Sequence, residues 1–390
     1  MTVEFYDLAQ RIYAQRSGHP VLRVAGALFV LDPQAIMLTA TQTRGVVTAS
    51  VAVADQPATQ VSGMGVLRAL AAAGARFDAP MRQLVVAGAS DLTALVGLAR
   101  AHSGSDDPAS REAAAVVGWW ADRAGYPGTS AVVDLCAHSR QRYITAAVPA
   151  AERSAEHWRS VFAVGEGTAG LWRWAQHLAN GTPLTALNQV RADDEYSFKA
   201  AAQRHRDGAD WAAPDRPPVA AMGLRRRCDT ADLWESALLG DRLWRHRAVH
   251  TGHVTGGEMV SANRAGFTVR CERMDCRLRE GNSVCGWHGG IDSYERSVTF
   301  IGEIADTSAC QSALLLTVTG VRVESRPGIG QWVSLMPAPP NAPMVRSGQY
   351  HYRRLQFGTD SWIAKGKPPG LIRRDVPLDV LISAAEAEGE

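Results

Sequence analysis

Lysine is nearly missing from this chain. Of 41 basic residues only Lys199, Lys365 and Lys367 are lysines, and the remainder are arginines. The codon usage of a GC-rich bacterial genome is the expected cause of that bias. Arginine by itself therefore says little about phosphate binding, although its planar fork is the better bidentate phosphate ligand. Cysteine is scarce too. Six in 390 residues exclude a disulfide scaffold and fit reduced thiols. No apolar run reaches the ~18 residues that a bilayer crossing requires. The longest candidate, residues 86–98, is broken by Gly88, Ser90 and Asp91. The opening MTVEFYDLAQRIYAQR has early acids and no apolar core, so no secretory signal is expected. A charge excess is absent as well: 41 basic against 39 acidic residues commit the surface as a whole neither to nucleic acid nor to a membrane. A soluble, cytoplasmic protein is the expectation.

What is present describes a folded chain. The hydrophobic share is 46% and the charged share 21%, and the length suits more than one domain. Phe5, Leu8, Ile12 and Tyr13 fall at helical spacing and predict an amphipathic helix over residues 3–15. Strand-like runs follow at 21–31, 35–40 and 46–54. A helix is predicted at 62–73, a strand at 83–87, and a helix at 90–101 with Ser90 as its N-cap. The stretch 102–109 (HSGSDDPA) reads as a linker. Beyond it the spacing is helical at 110–124, about 130–143, 151–164, 171–179, 183–205 and 229–246. Near Gly252 the period changes to alternation. Six short strands are predicted at 253–260, 266–271, 283–287, 296–304, 312–323 and 330–335, with glycine-rich turns between them.

The fold class expected from this pattern is mixed α and β, multidomain. An N-terminal α/β domain covers 1–105 and a helical middle domain covers 110–248. A small C-terminal antiparallel β-barrel, OB-like or sandwich, covers 252–336. A basic aromatic tail with a short terminal helix covers 337–390.

Several residue groups bear on chemistry. Cys271, Cys276, Cys285 and His288 lie within 18 residues and would complete a tetrahedral structural zinc shell. The tight CxxC knuckle is missing, and three small buried cysteines in barrel strands are the competing reading. His246, His250 and His253 share a helix end but lack the glutamate of a metalloprotease helix. Gly165-Glu166-Gly167-Thr168-Ala169-Gly170 matches G-x-G-x-x-G. It has no strand before it and no acid about 20 residues on, so it reads as a helix connection. Asp106-Asp107 and Asp193-Asp194-Glu195 could hold Mg²⁺, and read more simply as a solvated linker and a helix decoration. No Walker A, G-x-S-x-G or HExxH occurs, so any catalytic residues are unknown.

The last group is residues 340–374. Arg346, Arg353, Arg354, Lys365, Lys367, Arg373 and Arg374 stand there against the single acid Asp360, and Tyr350, Tyr352 and Trp362 interleave with them. Cations neutralise phosphates and aromatic faces stack on bases. The expected function is therefore a non-catalytic nucleic-acid-binding accessory protein, of replication, plasmid or mobile-element type, using the barrel and this tail. One alternative is a scaffold or assembly subunit that docks a protein partner, or a second copy, through the Trp-rich helices. Another is an enzyme whose site no motif reveals.

Overall fold

A computed structural model describes residues 3–310, 313–339, 357–366, 379–380 and 382–383. The chain divides into two compact units, residues 1–213 with 226–348, and residues 214–225 with 349–390.

The first unit begins with helix α1 (Val3–Ser17) and the short strand β1 (Val21–Leu22). A mixed sheet follows, made from β2 (Ile36–Thr43), β3 (Val46–Val53), β4 (Thr59–Ser62), β5 (Leu84–Val86) and β6 (Val132–Asp134). Its order is β4-β3-β2-β5-β6. The first three strands form an antiparallel meander. β5 and β6 add to it in parallel, with Ile36 opposite Leu84 and Leu84 opposite Val132.

Parallel additions need crossovers, and helices supply them. Helices α2 (Met64–Ala72), α3 (Ala89–Ala101) and α4 (Pro108–Arg123) lie between the strands they connect. Successive strand residues point to opposite faces, and the sheet follows that rule. Ile36, Leu38, Leu84, Val86 and Val132 join α2, α3 and α4 in one core, while Met37, Val85 and Val133 face a second. The second core is closed by α5 (Leu135–Arg142), α6 (Ala155–Phe162), α7 (Gly167–Ala179), α8 (Leu187–Arg206) and α9 (Pro217–Gly240). β7 (Tyr143–Ile144) pairs with β1. Residues 102–109 join α3 to α4, and both helices pack on the same core.

After α10 (Arg242–His250) the chain makes six strands. They are β8 (Thr255–Ala262), β9 (Gly266–Cys271), β10 (Ser283–His288), β11 (Phe300–Cys310), β12 (Ala313–Thr319) and β13 (Trp332–Pro337). Every pairing is antiparallel, and the order β10-β11-β12-β9-β8-β13 closes on itself. The ring therefore has no free edge to template association. Phe267, Val269, Val284, Ile304, Leu316, Val318, Val333 and Leu335 fill its interior. Cys285, Trp287 and Met336 leave its outer wall and pack on Leu239 and Ala248 of α9 and α10. A side chain at Gly286 would meet Phe300 at 2.2 Å, so the interior tolerates no Cβ there.

Several expectations differ from the structure. The expected strand 21–31 is only Val21–Leu22. The residues after it run as irregular chain that buries Val24, Leu28 and Phe29. The helix expected over about 130–143 begins with β6, because Val132 and Val133 are recruited as the sheet's edge strand. Its cap is Asp134, whose carboxylate accepts from Ala137 N. The expected N-cap Ser90 lies inside α3. Gly88 occupies the cap, and the Asp91 side chain reaches back to its N–H. The helix expected at 62–73 forms as α2, starting two residues later because Ser62 ends β4.

The largest reversal concerns α1. Phe5, Leu8, Ile12 and Tyr13 were expected to face a core, and they face solvent, 46–65% exposed. The polar side of the helix packs inward instead. Arg11 grips the Glu152 carboxylate with two bonds of 2.8 Å. Asp7 meets Arg23 and Arg247, Tyr6 stacks on His250, and Ala14 is buried. Ion pairs anchor this helix from the side that apolar periodicity leaves out.

Candidate functional site

The four residues expected to hold zinc do not come together. Strand alternation separates them: Cys271 and Cys276 lie in the ring interior, whereas Cys285 points to its outer wall. His288 is exposed at the end of β10, with Nε2 3.3 Å from the Ser325 carbonyl. Burial pushes the Cys271 thiol up to about 12 and raises Cys276 and Cys285 as well. Among the described residues no group of three or more His, Cys, Asp or Glu is placed to hold a metal ion.

The histidines at the end of α10 diverge. His246 Nε2 meets Asp292 at 2.9 Å, His250 stacks on Tyr6, and His253 Nδ1 lies 2.7 Å from the Thr251 hydroxyl. In the glycine motif, a Cβ at Gly170 would stand 1.9 Å from the Gly165 carbonyl oxygen. The glycine is there so that α7 can fold over the end of the preceding loop, which needs no phosphate to explain it.

The acidic pairs are structural. Asp107 binds Arg68 at 2.9 Å and the Ser110 hydroxyl at 2.6 Å. Asp193 and Asp194 are buried around Arg123. Arg123 reaches Asp193 at 3.0 Å, and its Nε donates to Asp194 at 2.6 Å. Asp194 also accepts from Ser130 N, the Ser130 hydroxyl and the Thr129 hydroxyl. Arg226 reaches Asp193, and the Arg123 guanidinium lies 3.9 Å over the Tyr126 ring. Every charge in this network has its counter-charge or its hydrogen bonds, as buried ions require.

One location was not legible in the sequence. In open α/β sheets ligands sit outside the carboxyl ends of parallel strands. Here that edge holds Gly88, Asp91, Asp134 and Cys136, just past β5 and β6. Each is already engaged. Asp91 accepts from Ala40 N at 3.0 Å and Gly88 N at 3.3 Å; burial raises its pKa against those bonds. Asp134 caps α5, and burial pushes the Cys136 thiol up to about 12. The two carboxylates act as backbone ties, and the thiol is protonated and sheltered.

The tryptophans are core. Trp119, Trp120, Trp158, Trp174 and Trp234 are buried, and Trp172 and Trp244 pack against the second core. No described helix is long and apolar enough to cross a membrane.

Of the expected nucleic-acid contacts, Trp362 and Lys365 are described. They belong to a short helix, α11 (Trp362–Lys365), capped by the Ser361 hydroxyl on Ala364 N. Trp362 is half-buried, and Lys365 is exposed with its ammonium 3.1 Å from Asp360. Arg346, Tyr350, Tyr352, Arg353, Arg354, Lys367, Arg373 and Arg374 lie outside the described residues. The ring itself is close to neutral. Residues 252–339 hold eight arginines and nine acids. Four of those arginines are tied down: Arg270 to Glu258, Arg273 to Asp275, and Arg279 and Arg326 to backbone carbonyls.

Comparison with known proteins returns no matching family model, no matching curated protein and no matching solved structure.

Proposed function

We propose that the protein is a non-catalytic nucleic-acid-binding accessory protein whose contacts come from residues 340–374. The observation that carries this reading is charge segregation. That segment has seven cations against one acid, whereas the ring before it balances its arginines with acids. Phosphate binding scales with the cations that displace counterions, so affinity resides in the segment. Arg346, Arg353, Arg354, Lys365, Lys367, Arg373 and Arg374 neutralise phosphates, while Tyr350, Tyr352 and Trp362 stack on bases. The test is binding of labelled single-stranded DNA and RNA at low salt, with the full chain and with Arg353, Arg354, Arg373 and Arg374 all changed to Ala. The reading expects binding by the first and roughly a hundredfold loss in the second. Equal binding by both rejects it.

A second reading rests on α1. Its exposed stripe of Phe5, Leu8, Ile12 and Tyr13 is contiguous, and such patches mark association surfaces. An assembly subunit that pairs with a second copy through α1 is then expected to dimerise in light scattering, and to become monomeric when Leu8 and Ile12 are changed to Glu.

A further inference from the structure

The first unit contains a cleft of about 580 Å³ that none of the sequence motifs touches. Its walls come from distant parts of the chain: the loop after β1, the segment entering α8, the last turns of α9, the loop after β10 and the end of β13. The volume is that of a small-molecule site. The walls are held by specific bonds. The Asp241 carboxylate accepts from Ala25 N at 3.0 Å and Gly26 N at 2.9 Å, and also from Leu243 N and Trp244 N at the start of α10. Gly26 lies so close to the facing wall that a Cβ would meet Leu184 at 2.8 Å. The cleft is therefore formed before any ligand enters.

Its electrostatics favour one sign. Asp241 is the only acid among the described lining residues, and it accepts hydrogen bonds from four backbone N–H groups. Arg296 is exposed at the lining, and its guanidinium has no hydrogen bond or ion pair to any described residue. Behind the lining residue Tyr294 lies a second cation, Arg245, only 4% exposed, with its guanidinium 4.2 Å from the tyrosine ring. Arg245 is held by the Leu239 and Gly240 carbonyls rather than by a carboxylate. Burial pushes its pKa down, against the attraction of Tyr294, Asp241 and Asp292. The nearby Asp292 is engaged by Arg242 and His246. The lining also holds the apolar side chains of Leu184, Leu233, Ala237 and Met336, with Thr182, Thr185, Gln189 and Ser236 as neutral polar groups.

We infer that this cleft binds a small amphipathic anion, with an apolar body against Leu184, Leu233 and Met336 and a carboxylate, sulfonate or phosphate head on Arg296. A charged acceptor on a guanidinium makes a strong hydrogen bond, and the buried charge of Arg245 adds attraction in a medium of lowered dielectric.

The probe for the test is 1-anilinonaphthalene-8-sulfonate, which joins a bicyclic body to one anionic head. Its fluorescence is titrated with the full chain, with Ser236→Trp to fill the cleft, and with Arg296→Glu and Arg296→Lys at the exposed position. The doubly substituted Leu8→Glu, Ile12→Glu chain controls for binding to α1, and circular dichroism confirms folding of each variant. One saturable site is expected. Ser236→Trp abolishes it, Arg296→Glu weakens it about tenfold or more, and Arg296→Lys stays within about threefold, as loss, reversal or retention of one charged contact implies. The uncharged analogue N-phenyl-1-naphthylamine binds about tenfold more weakly to the same site. Saturable binding left unchanged by either Ser236→Trp or Arg296→Glu overturns the inference, and so does no binding by the unaltered chain. If Ser236→Trp fails to fold, Arg296→Glu and the uncharged analogue decide alone.

Discussion

The sheet body and the ring are built by opposite means. The ring closes six strands that follow one another over residues 255–337, with hairpins for three of its six pairings, and its pairing is antiparallel throughout. The body draws its central strands from far apart, Ile36 beside Leu84 and Leu84 beside Val132, in parallel, with whole helices in between. The ring keeps nearly neutral charge and an apolar filling, whereas the body buries a complete ion network around Arg123. The difference teaches that local alternation marks each strand of the ring, although β9–β12, β8–β13 and β10–β13 still pair over distance, while the body hides even its edge strand from the local pattern.

The sharpest way to break that comparison is to strike each region at its own kind of contact. Asp194→Ala in the body leaves Arg123 buried beside Asp193 alone and orphans the Ser130 and Thr129 donors. Removing one partner of a buried pair costs about 3–5 kcal/mol, a large part of the ~5–15 kcal/mol that holds an ordinary domain. Urea denaturation is expected to show that loss, or no folded protein at all. Leu316→Ala in the ring removes a fully buried side chain from an apolar filling. The expected cost is about 2–5 kcal/mol, in the lower part of that range if neighbouring strands relax into the space. A ring substitution that proves more damaging than Asp194→Ala reverses the comparison.

Acid sharpens it further. Burial lowers the pKa of His138 in the body, against the Asp134 carbonyl that its ring contacts, and burial lowers His177 too. A depressed folded-state value means that stability is fully present above the unfolded imidazole value, about 6.5. It is lost as pH falls through the folded value, because the unfolded chain takes up protons first. Denaturation midpoints measured from pH 7 to pH 5 are expected to fall. Their slope becomes shallower in His138→Gln, and an unchanged slope removes His138 from the account. The smallest effect belongs to the surface of α1. Leu8→Glu is expected to change stability by no more than about 0.5 kcal/mol, since its side chain is already in water. A larger loss means that the helix buries this face.

The same contrast explains what could be read in advance. All six ring strands were legible, because alternation and glycine turns are local signals. Gly266–Cys271 agrees to the residue, and the others shift by a few positions. Val132 and Val133 were read as helix, because nothing beside them in sequence shows that Leu84 and Val85 will lie alongside. Residues 23–31 carry strand-forming side chains that the fold uses to plug a core from irregular chain, as Leu28 and Phe29 do. The α1 stripe misled because Arg11, Asp7 and Tyr6 find partners at Glu152, Arg247 and His250, which sequence distance hides. Candidate sites divide in the same way. The basic segment is a local feature of the sequence, and most of it lies outside the described residues. The carboxyl edge of β5 and β6, the network around Arg123 and the cleft beside Asp241 are each assembled from separate stretches of chain, and no motif announces them.

The most direct test of the account is the salt dependence of single-strand binding by the intact chain. Log affinity against log salt is expected to fall linearly, with a slope of about −0.7 for each phosphate contacted. Changing Arg353, Arg354, Arg373 and Arg374 to Ala should make that slope shallower by roughly 2 to 3 units. A slope near zero in the intact chain, or one that the four substitutions leave unaltered, contradicts the assignment of phosphate binding to residues 340–374.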